Sequence, residues 1–212
     1  MFTGDSFGDG GKFIVKALQK ENIHGSFFLT GNFYRNKSFK KTIKQLIKNG
    51  NYMGSHSDKH ILYCDWVKRD SLLVTQKQFT DDLNNAYKEL AKWGIEKKQA
   101  HYYLPAFEWY NDSVSAWTQN LGLQLVNFTP GTYSNADYTF PEMGKRYFSS
   151  TAIMDSILQY EKESTNGLNG FILLVHIGTD PKRTDKFYFK LPELITELKS
   201  KGYGFVKIDE LL

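Results

Sequence analysis

The chain contains a single cysteine, Cys64, among its 212 residues. One thiol cannot form an internal disulfide, and it excludes a metal cage built from several thiolates. The sequence has no apolar run approaching the ~18 residues that a membrane-spanning helix needs, and no signal peptide is visible in it. Lysine and arginine are not clustered among aromatic residues, so the net charge of +4 does not indicate a nucleic-acid partner.

The composition is that of a globular protein, with 41% hydrophobic and 24% charged residues, and the length suits one domain with a real core. Aromatic residues make up 16%. Most of them fill the core, but flat rings also stack on sugar faces. The chain opens abruptly, with Met1-Phe2-Thr3 running into Gly4-Asp5. We therefore expect residues 1–212 to form one domain excised from a longer protein. The sequence does not determine its oligomeric state.

Strand-like and helix-like segments alternate along the chain. The predicted helices are 10–21, 38–48, 75–93, 112–121, 150–161 and 191–199, and the predicted strands are 1–3, 26–29, 51–54, 100–104, 125–128, 170–176 and 203–208. This alternation predicts an α/β fold with a parallel sheet and helices outside it. About seven such units favour a distorted (β/α)7-type barrel in a single domain, with its chemistry at the carboxyl ends of the strands.

His56 and His60 follow one of these predicted strands. Two imidazoles four residues apart can point the same way where the backbone is helical or tightly turned. Such a pair can hold one metal ion, and imidazole suits zinc, copper, iron and nickel. The pair is also compatible with a surface or cap feature. Asp5, residues 105–109 and His176 follow other predicted strands, so four loops are expected to converge on one rim.

These strand ends, in this order, resemble the polysaccharide deacetylases, the NodB-homology domain of carbohydrate esterase family 4. Phe2-Thr3-Gly4-Asp5 lies where the family has Thr-Phe-Asp-Asp, and residues 25–31 are similar to its Ala-Thr-Phe-Phe-Val-Thr-Gly strand. Residues 49–57 are similar to its Gly-His-Glu-Ile-Gly-Asn-His-Thr segment, and His60 completes a His-Ser-x-x-His motif. Residues 103–107 lie at the Arg-x-Pro-x-aromatic motif, and residues 173–176 match Leu-x-x-His. The resemblance covers nearly the whole chain.

The resemblance implies a divalent metal, usually zinc, held by Asp5, His56 and His60. Such a metal supplies an activated water and polarises the acetyl carbonyl. His176 is implied as the acid that protonates the leaving amine or alkoxide. The implied substrate is an acetylated polysaccharide or oligosaccharide, either N- or O-acetylated. The implied location is periplasmic, cell-surface or secreted.

The sequence departs from the family pattern at its catalytic base. The base is the first Asp of Thr-Phe-Asp-Asp, which corresponds to Gly4, and the Arg that orients it corresponds to Tyr103. The Asp-rich fourth motif is not evident near residues 127–130. Three alternatives remain open: Glu108 on the following loop acts as base, the metal alone supports turnover about 10²–10⁴-fold weaker, or the domain binds glycans without activity.

The loop after residue 104 supplies the predicted substrate-binding residues Tyr103, Pro105, Trp109 and Tyr110, and Trp66 is a further candidate sugar platform. Each assignment has a structural alternative. Loop aromatics also pack as lids, Tyr103 could pack beneath the loop, Glu108 could be a solvated charge, and His176 could be a core histidine. Asp9 is interpreted as a helix cap before Gly10-Gly11.

Overall fold

A computed structural model describes residues 1–212. The helices are α1 (Gly11–Lys20), α2 (Gly31–Arg35), α3 (Lys40–Lys48), α4 (Gln76–Lys92), α5 (Asp112–Asn120), α6 (Ser150–Glu163), α7 (Leu191–Ser200) and α8 (Ile208–Leu211). The strands are β1 (Phe2–Gly4), β2 (Ser26–Leu29), β3 (Tyr52–Ser55), β4 (Tyr102–Tyr103), β5 (Gln124–Leu125) and β6 (Val175–His176). The predicted α/β alternation is confirmed. No helix is both long and apolar enough to cross a membrane.

Local signals in the sequence explain where several helices begin and end. Thr75 starts α4 with a reciprocal capping box to Gln78. Ser149 caps α6 by accepting a hydrogen bond from the Ala152 N–H. Gly50 follows α3 with a φ of 73°, a backbone conformation that glycine adopts without strain. The short helix α2 was not predicted; Thr30 caps it by accepting from the Phe33 N–H.

The predicted closing strand at 203–208 is wrong. Residues 203–207 form no regular element, and α8 begins at Ile208. The apolar residues there suggested a buried strand, but the segment is not buried on both sides, since Val206 is 56% exposed. The sheet therefore has six strands, not seven.

The chain divides into two compact units. The first comprises residues 1–3, 7–25 and 128–212, and the second comprises residues 4–6 and 26–127. In the second unit, β2, β3, β4 and β5 lie side by side in chain order, and each neighbouring pair is parallel. Sequential parallel neighbours are typical of a barrel-type sheet and not of the reversed order of a doubly wound one. The β2 side chains Phe27, Phe28 and Leu29 are completely buried.

In the first unit, β1 pairs in parallel with β6, with Phe2 opposite Val175 and Thr3 opposite His176. Helix α1 packs against α7, and each turns its apolar face inward, with Ile14 fully buried and Leu194 nearly so. This pairing sets His176 at the carboxyl end of a strand, where parallel α/β proteins carry their chemistry.

Candidate metal centre and active site

His56 and His60 lie with their side chains facing each other in the second unit. Their Nε2 atoms are 3.3 Å apart, and their ring centroids are 5.0 Å apart. Two nitrogens bound tetrahedrally to zinc, each at about 2.0–2.1 Å, would be separated by roughly 3.4 Å. The pair thus has the spacing of two ligands of one ion.

The orientation of the His56 ring is fixed by the strand-end backbone. Its Nδ1 lies 3.0 Å from the carbonyl oxygen of Leu104. Because a carbonyl can only accept, Nδ1 must donate, and the neutral ring then carries its lone pair on Nε2. Metal-binding histidines are commonly oriented in this way by a partner on the opposite ring nitrogen. His56 is 2% exposed, so this tautomer is held in a buried position.

A tight turn places the two histidines on the same side. Ser57 and His60 have positive φ angles of 74° and 55°, and the Ser57 hydroxyl accepts from the His60 N–H at 2.9 Å. A left-handed backbone costs a non-glycine residue about 1–2 kcal/mol. Neighbouring elements hold the turn in place: the Gly31 N–H donates to the Ser57 carbonyl at 3.0 Å.

Asp82 of α4 anchors the same turn, although it belongs to none of the motifs identified in the sequence. Its carboxylate accepts from the backbone N–H groups of Asp58 and Lys59 at 2.9 and 3.2 Å, and from the Tyr63 hydroxyl at 2.8 Å. Burial raises the pKa of Asp82 even though these hydrogen bonds oppose the rise. Its position on the buried face of an amphipathic helix was the only indication that this carboxylate has partners.

Asp5 follows β1 and belongs to the second unit. Its carboxylate accepts hydrogen bonds from the hydroxyls of Ser6 and Thr30, both at 2.7 Å, and from the Asn32 amide at 3.1 Å. Burial would raise the pKa of Asp5, but these bonds and the charge of His60 outweigh it, and the pKa is lowered. An ionised carboxylate near a histidine pair is the third kind of ligand that zinc sites use.

Glu108 approaches the histidine pair from the loop after β4. Its Oε1 lies 3.5 Å from His56 Nε2, and its side chain is 15% exposed. Phe107 and Glu108 have consecutive positive φ angles of 61° and 53°. Of the five non-glycine residues with positive φ in the chain, four lie in this loop and in the turn that carries the histidines. Strained backbone of this kind persists only where surrounding contacts enforce it, and it is concentrated at functional sites.

The donor chemistry fits a divalent ion, although the fit is incomplete. Two imidazole nitrogens face each other, and the carboxylates of Asp5 and Glu108 each interact with one of the two rings. No group of three or more His, Cys, Asp or Glu side chains is arranged so that all could hold one metal ion. The two histidines are therefore already positioned as ligands. A three-ligand metal site would require a carboxylate to move toward them.

Tyr103 and Pro105 lie beneath this loop and not on its surface. Tyr103 is completely buried, and its ring contacts Phe79 at 6.3 Å. Burial raises the pKa of Tyr103 far above its ordinary value, so the hydroxyl stays neutral. The structure therefore agrees with the packing alternative for Tyr103, because a buried ring has no face to offer a sugar.

Trp109 and Tyr110 are half-buried on the same loop. The Arg69 guanidinium covers one face of each, at 4.2 Å from the Trp109 ring and 5.4 Å from the Tyr110 ring. Trp66 and Phe107 are more open, at 53% and 39% exposed. Phe107 also contacts the His60 ring, with 4.3 Å between centroids.

His176 lies in the first unit, at the end of β6. Its Nδ1 is 2.5 Å from Asp137 Oδ1, and its backbone N–H donates to Asp137 Oδ2 at 2.8 Å. Asp137 is 2% exposed. No acidic motif is evident near residues 127–130, and the partner of His176 lies further along an irregular segment, 39 residues before it, where no sequence pattern indicated it. The His176 ring also lies against Tyr138, at 5.3 Å.

The interpretation of Asp9 as a helix cap is wrong. Gly10 occupies the cap position of α1, and no side chain caps the helix there. Asp9 instead accepts from the Thr179 N–H and the Tyr188 hydroxyl, both at 2.9 Å, and pairs with Lys186 at 3.2 Å. Its role is to fasten the loop after β6 within the first unit.

The family model for polysaccharide deacetylases matches residues 7–126, which is more than half of the chain. The chain therefore belongs to the polysaccharide deacetylase family. Peptidoglycan-N-acetylmuramic acid deacetylase PdaA of Bacillus subtilis is 27% identical over 202 residues, covering 94% of this chain and 65% of that protein.

Two solved structures of this family share the fold. The peptidoglycan N-acetylglucosamine deacetylase Bc1960 superposes with a TM-score of 0.73 at 18% identity, covering all of this chain and 85% of its own. BA3943 of Bacillus anthracis, described as a pseudoenzyme of carbohydrate esterase family 4, has a TM-score of 0.72 at 16% identity, covering 99% of this chain and 63% of its own. The barrel-like α/β fold is thus confirmed. The chain spans less than two thirds of the lengths of PdaA and BA3943.

Proposed function

We propose that this protein is a metal-dependent deacetylase that hydrolyses N- or O-linked acetyl groups on a polysaccharide or oligosaccharide. The observation that supports this most strongly is the histidine pair. His56 Nδ1 is committed to a backbone carbonyl, and its Nε2 lies 3.3 Å from the Nε2 of His60. Family membership supplies the reaction class.

His56 and His60, with the carboxylate of Asp5, are the residues that would hold the ion. Nitrogen and oxygen donors of this kind suit zinc and other first-row divalent metals, and zinc is the ion we propose. When bound, such an ion would lower the pKa of a water and polarise the acetyl carbonyl. The lowered pKa of Asp5 keeps a negative charge available for this role at neutral pH.

Glu108 is the proposed general base, taking the proton of the attacking water. Its carboxylate oxygen, 3.5 Å from His56 Nε2, lies close enough to reach a water at the histidine pair. The left-handed backbone at Phe107 and Glu108 turns the two side chains in different directions, with Glu108 toward His56 and Phe107 toward His60. This carboxylate would replace the base that the family carries at the position of Gly4.

His176 is the proposed general acid that protonates the leaving amine or alkoxide. With Nδ1 bonded to Asp137, proton transfer falls to Nε2. The buried Asp137 carboxylate fixes the ring and stabilises its protonated form, which is the role that a carboxylate plays beside a catalytic histidine. Asp137 is therefore a positioning residue.

The substrate is proposed to be an acetylated glycan, with residues 107–110 forming one wall of its binding groove. PdaA and Bc1960 are both described as peptidoglycan deacetylases. A cell-wall substrate would require a periplasmic, cell-surface or secreted location, which we propose for this protein.

The second candidate is a glycan-binding domain without activity. Two observations favour it: Gly4 stands where the family has its base, and no three-ligand cluster is formed. BA3943 is an example of a pseudoenzyme with this fold. The two candidates differ in turnover and not in binding.

Acetate release separates them. Purified, zinc-loaded protein is incubated with N-acetylated and O-acetylated glycans, and acetate is measured against a protein-free blank. The proposal expects release from at least one class. Binding of the same glycans with no release from any of them would favour the binding domain instead.

A further inference from the structure

An exposed tryptophan stands on a rigid hairpin of the second unit. Residues 63–73 form this hairpin, with Cys64 and Leu72 in an antiparallel bridge. The Leu73 N–H donates to the Tyr63 carbonyl at 2.9 Å.

An Asx turn at the tip of the hairpin fixes the backbone around Trp66. Asp65 Oδ1 accepts from the N–H groups of Val67 and Lys68 at 2.8 and 2.7 Å.

The hairpin is fastened to the loop that carries Glu108. Trp109 Nε1 donates to the Asp65 carbonyl at 3.1 Å, and Arg69 Nε donates to the Tyr110 carbonyl at 2.6 Å. The Asn111 amide donates to the Arg69 carbonyl at 3.0 Å. Three hydrogen bonds and the stacking of Arg69 on Trp109 hold the two segments together. The position of Trp66 relative to the histidine pair is therefore fixed by contacts on both sides.

Aromatic rings form an unbroken series from the histidine pair to the hairpin. His60 contacts Phe107 at 4.3 Å, Phe107 contacts Trp66 at 5.6 Å, and Trp66 contacts Trp109 at 5.5 Å. Trp66 nevertheless leaves 53% of its surface in water, and Phe107 leaves 39%. Holding a large ring rigid and exposed is unfavourable for the isolated protein, because apolar surface stays in water. A ligand that covers the ring would bury this apolar surface, and little side-chain entropy would be lost because the ring is already held in place.

We infer that Trp66 and Phe107 form a sugar-binding subsite that receives a glycan unit beside the one carrying the reacting acetyl group. The apolar face of a pyranose would stack on the rings, while its hydroxyl groups reach the polar groups of Asp65, Lys68 and Arg69 around them. Phe107 separates Trp66 from His60. The sugar on Trp66 is thus a neighbour of the reacting sugar, and the ligand class is a glycan chain and not a monosaccharide. This inference rests on the proposed function, because it extends the same site.

Binding of a β-1,4-linked N-acetylglucosamine hexamer tests the subsite without requiring turnover. Dissociation constants are measured by calorimetry for the full chain carrying Glu108→Gln, with and without each hairpin change. Trp66→Ala should weaken hexamer binding roughly ten-fold, the cost of removing a central aromatic contact. Trp66→Phe should retain binding within about three-fold, because it keeps a ring.

Val67→Ala is the matched control, since Val67 is the neighbouring hairpin residue and is 91% exposed. Its hexamer affinity should equal that of the parent. The inference is overturned if Trp66→Ala binds like the parent, if Val67→Ala loses as much affinity, or if the parent shows no measurable binding. Acetate release, measured separately, distinguishes the two proposals: Trp66-dependent binding without release removes only the deacetylase, and release without Trp66-dependent binding removes only the subsite.

Discussion

Glu108 Oε1 lies 3.5 Å from His56 Nε2, on a backbone that only an enforced left-handed conformation makes possible. A solvated loop carboxylate does not require two consecutive non-glycine residues with positive φ, whereas here they direct Glu108 toward His56. The relationship joins Glu108, which belongs to none of the family motifs quoted above, to His56, which the His-Ser-x-x-His motif predicts. It supports a base supplied from a different loop, in place of the one missing at Gly4.

Glu108→Gln should therefore lower kcat by about 10²–10⁴-fold, the usual contribution of a general base. Glutamine keeps the size of the side chain but cannot take the proton of a water. Metal content, measured by mass spectrometry of the purified protein, should stay the same. Asp70→Asn, a change at an exposed carboxylate of the hairpin, is the control and should leave kcat unaltered. Near-normal turnover in Glu108→Gln would mean that this side chain is only a loop charge.

His56→Ala and His60→Ala should each abolish stoichiometric binding of zinc. Removing one nitrogen leaves a single imidazole, and one remaining histidine does not hold zinc tightly in competition with a chelator. Metal content after dialysis against a weak chelator measures this. His24 is exposed and lies outside the motif, so His24→Ala should keep the full metal content. Equal zinc affinity in all three variants would exclude the pair as the metal site.

The sequence was sufficient to predict the histidine pair because its geometry is local. Four residues and a tight turn determine it, and the resemblance to a known motif identified the turn. The alternation of helices and strands was equally local, and six of the seven predicted strands are present. The error at residues 203–208 arose because an apolar run does not by itself say whether two faces will be buried.

Contacts between distant residues were not predictable in the same way. Asp137 and His176 are 39 residues apart, and Asp82 meets the turn of His60 from a helix that follows it. Neither carboxylate lies in a motif identified from the sequence, and the role of each depends on the residues that it contacts after folding. The burial of Tyr103 also depends on packing against α4, which its place in a loop motif does not reveal.

Asp137→Asn should lower kcat by disturbing His176, because the amide can offer its NH₂ group to Nδ1 and favour the wrong tautomer. The loss should fall within the range of about 10²–10⁴-fold given by general-acid catalysis. Substrates with better leaving groups should lose less, since they need less protonation. The double variant with His176→Ala should be no worse than His176→Ala alone, because the two residues act as one unit. Additive losses would contradict a shared role.

Asp82→Ala should destabilise the protein by about 2–4 kcal/mol, because it leaves the buried Asp58 N–H, the part-buried Lys59 N–H and the buried Tyr63 hydroxyl without their acceptor. Urea unfolding followed by circular dichroism gives the free energy of unfolding. Asp81 is the neighbouring residue on the exposed face of α4, where it pairs only with Lys77. Asp81→Ala should cost less than about 0.5 kcal/mol. Similar losses for both changes would show that Asp82 does not anchor the histidine turn.

The most direct test of a metal-dependent deacetylase is acetate release measured as zinc is added back to chelated protein. A metal-dependent deacetylase should release no acetate in the chelated form. Acetate release should then rise with added zinc until one ion is bound per chain, and His56→Ala should show no such rise. Acetate release that is unchanged by chelation, or absent at every zinc occupancy across the glycans tested, would contradict it.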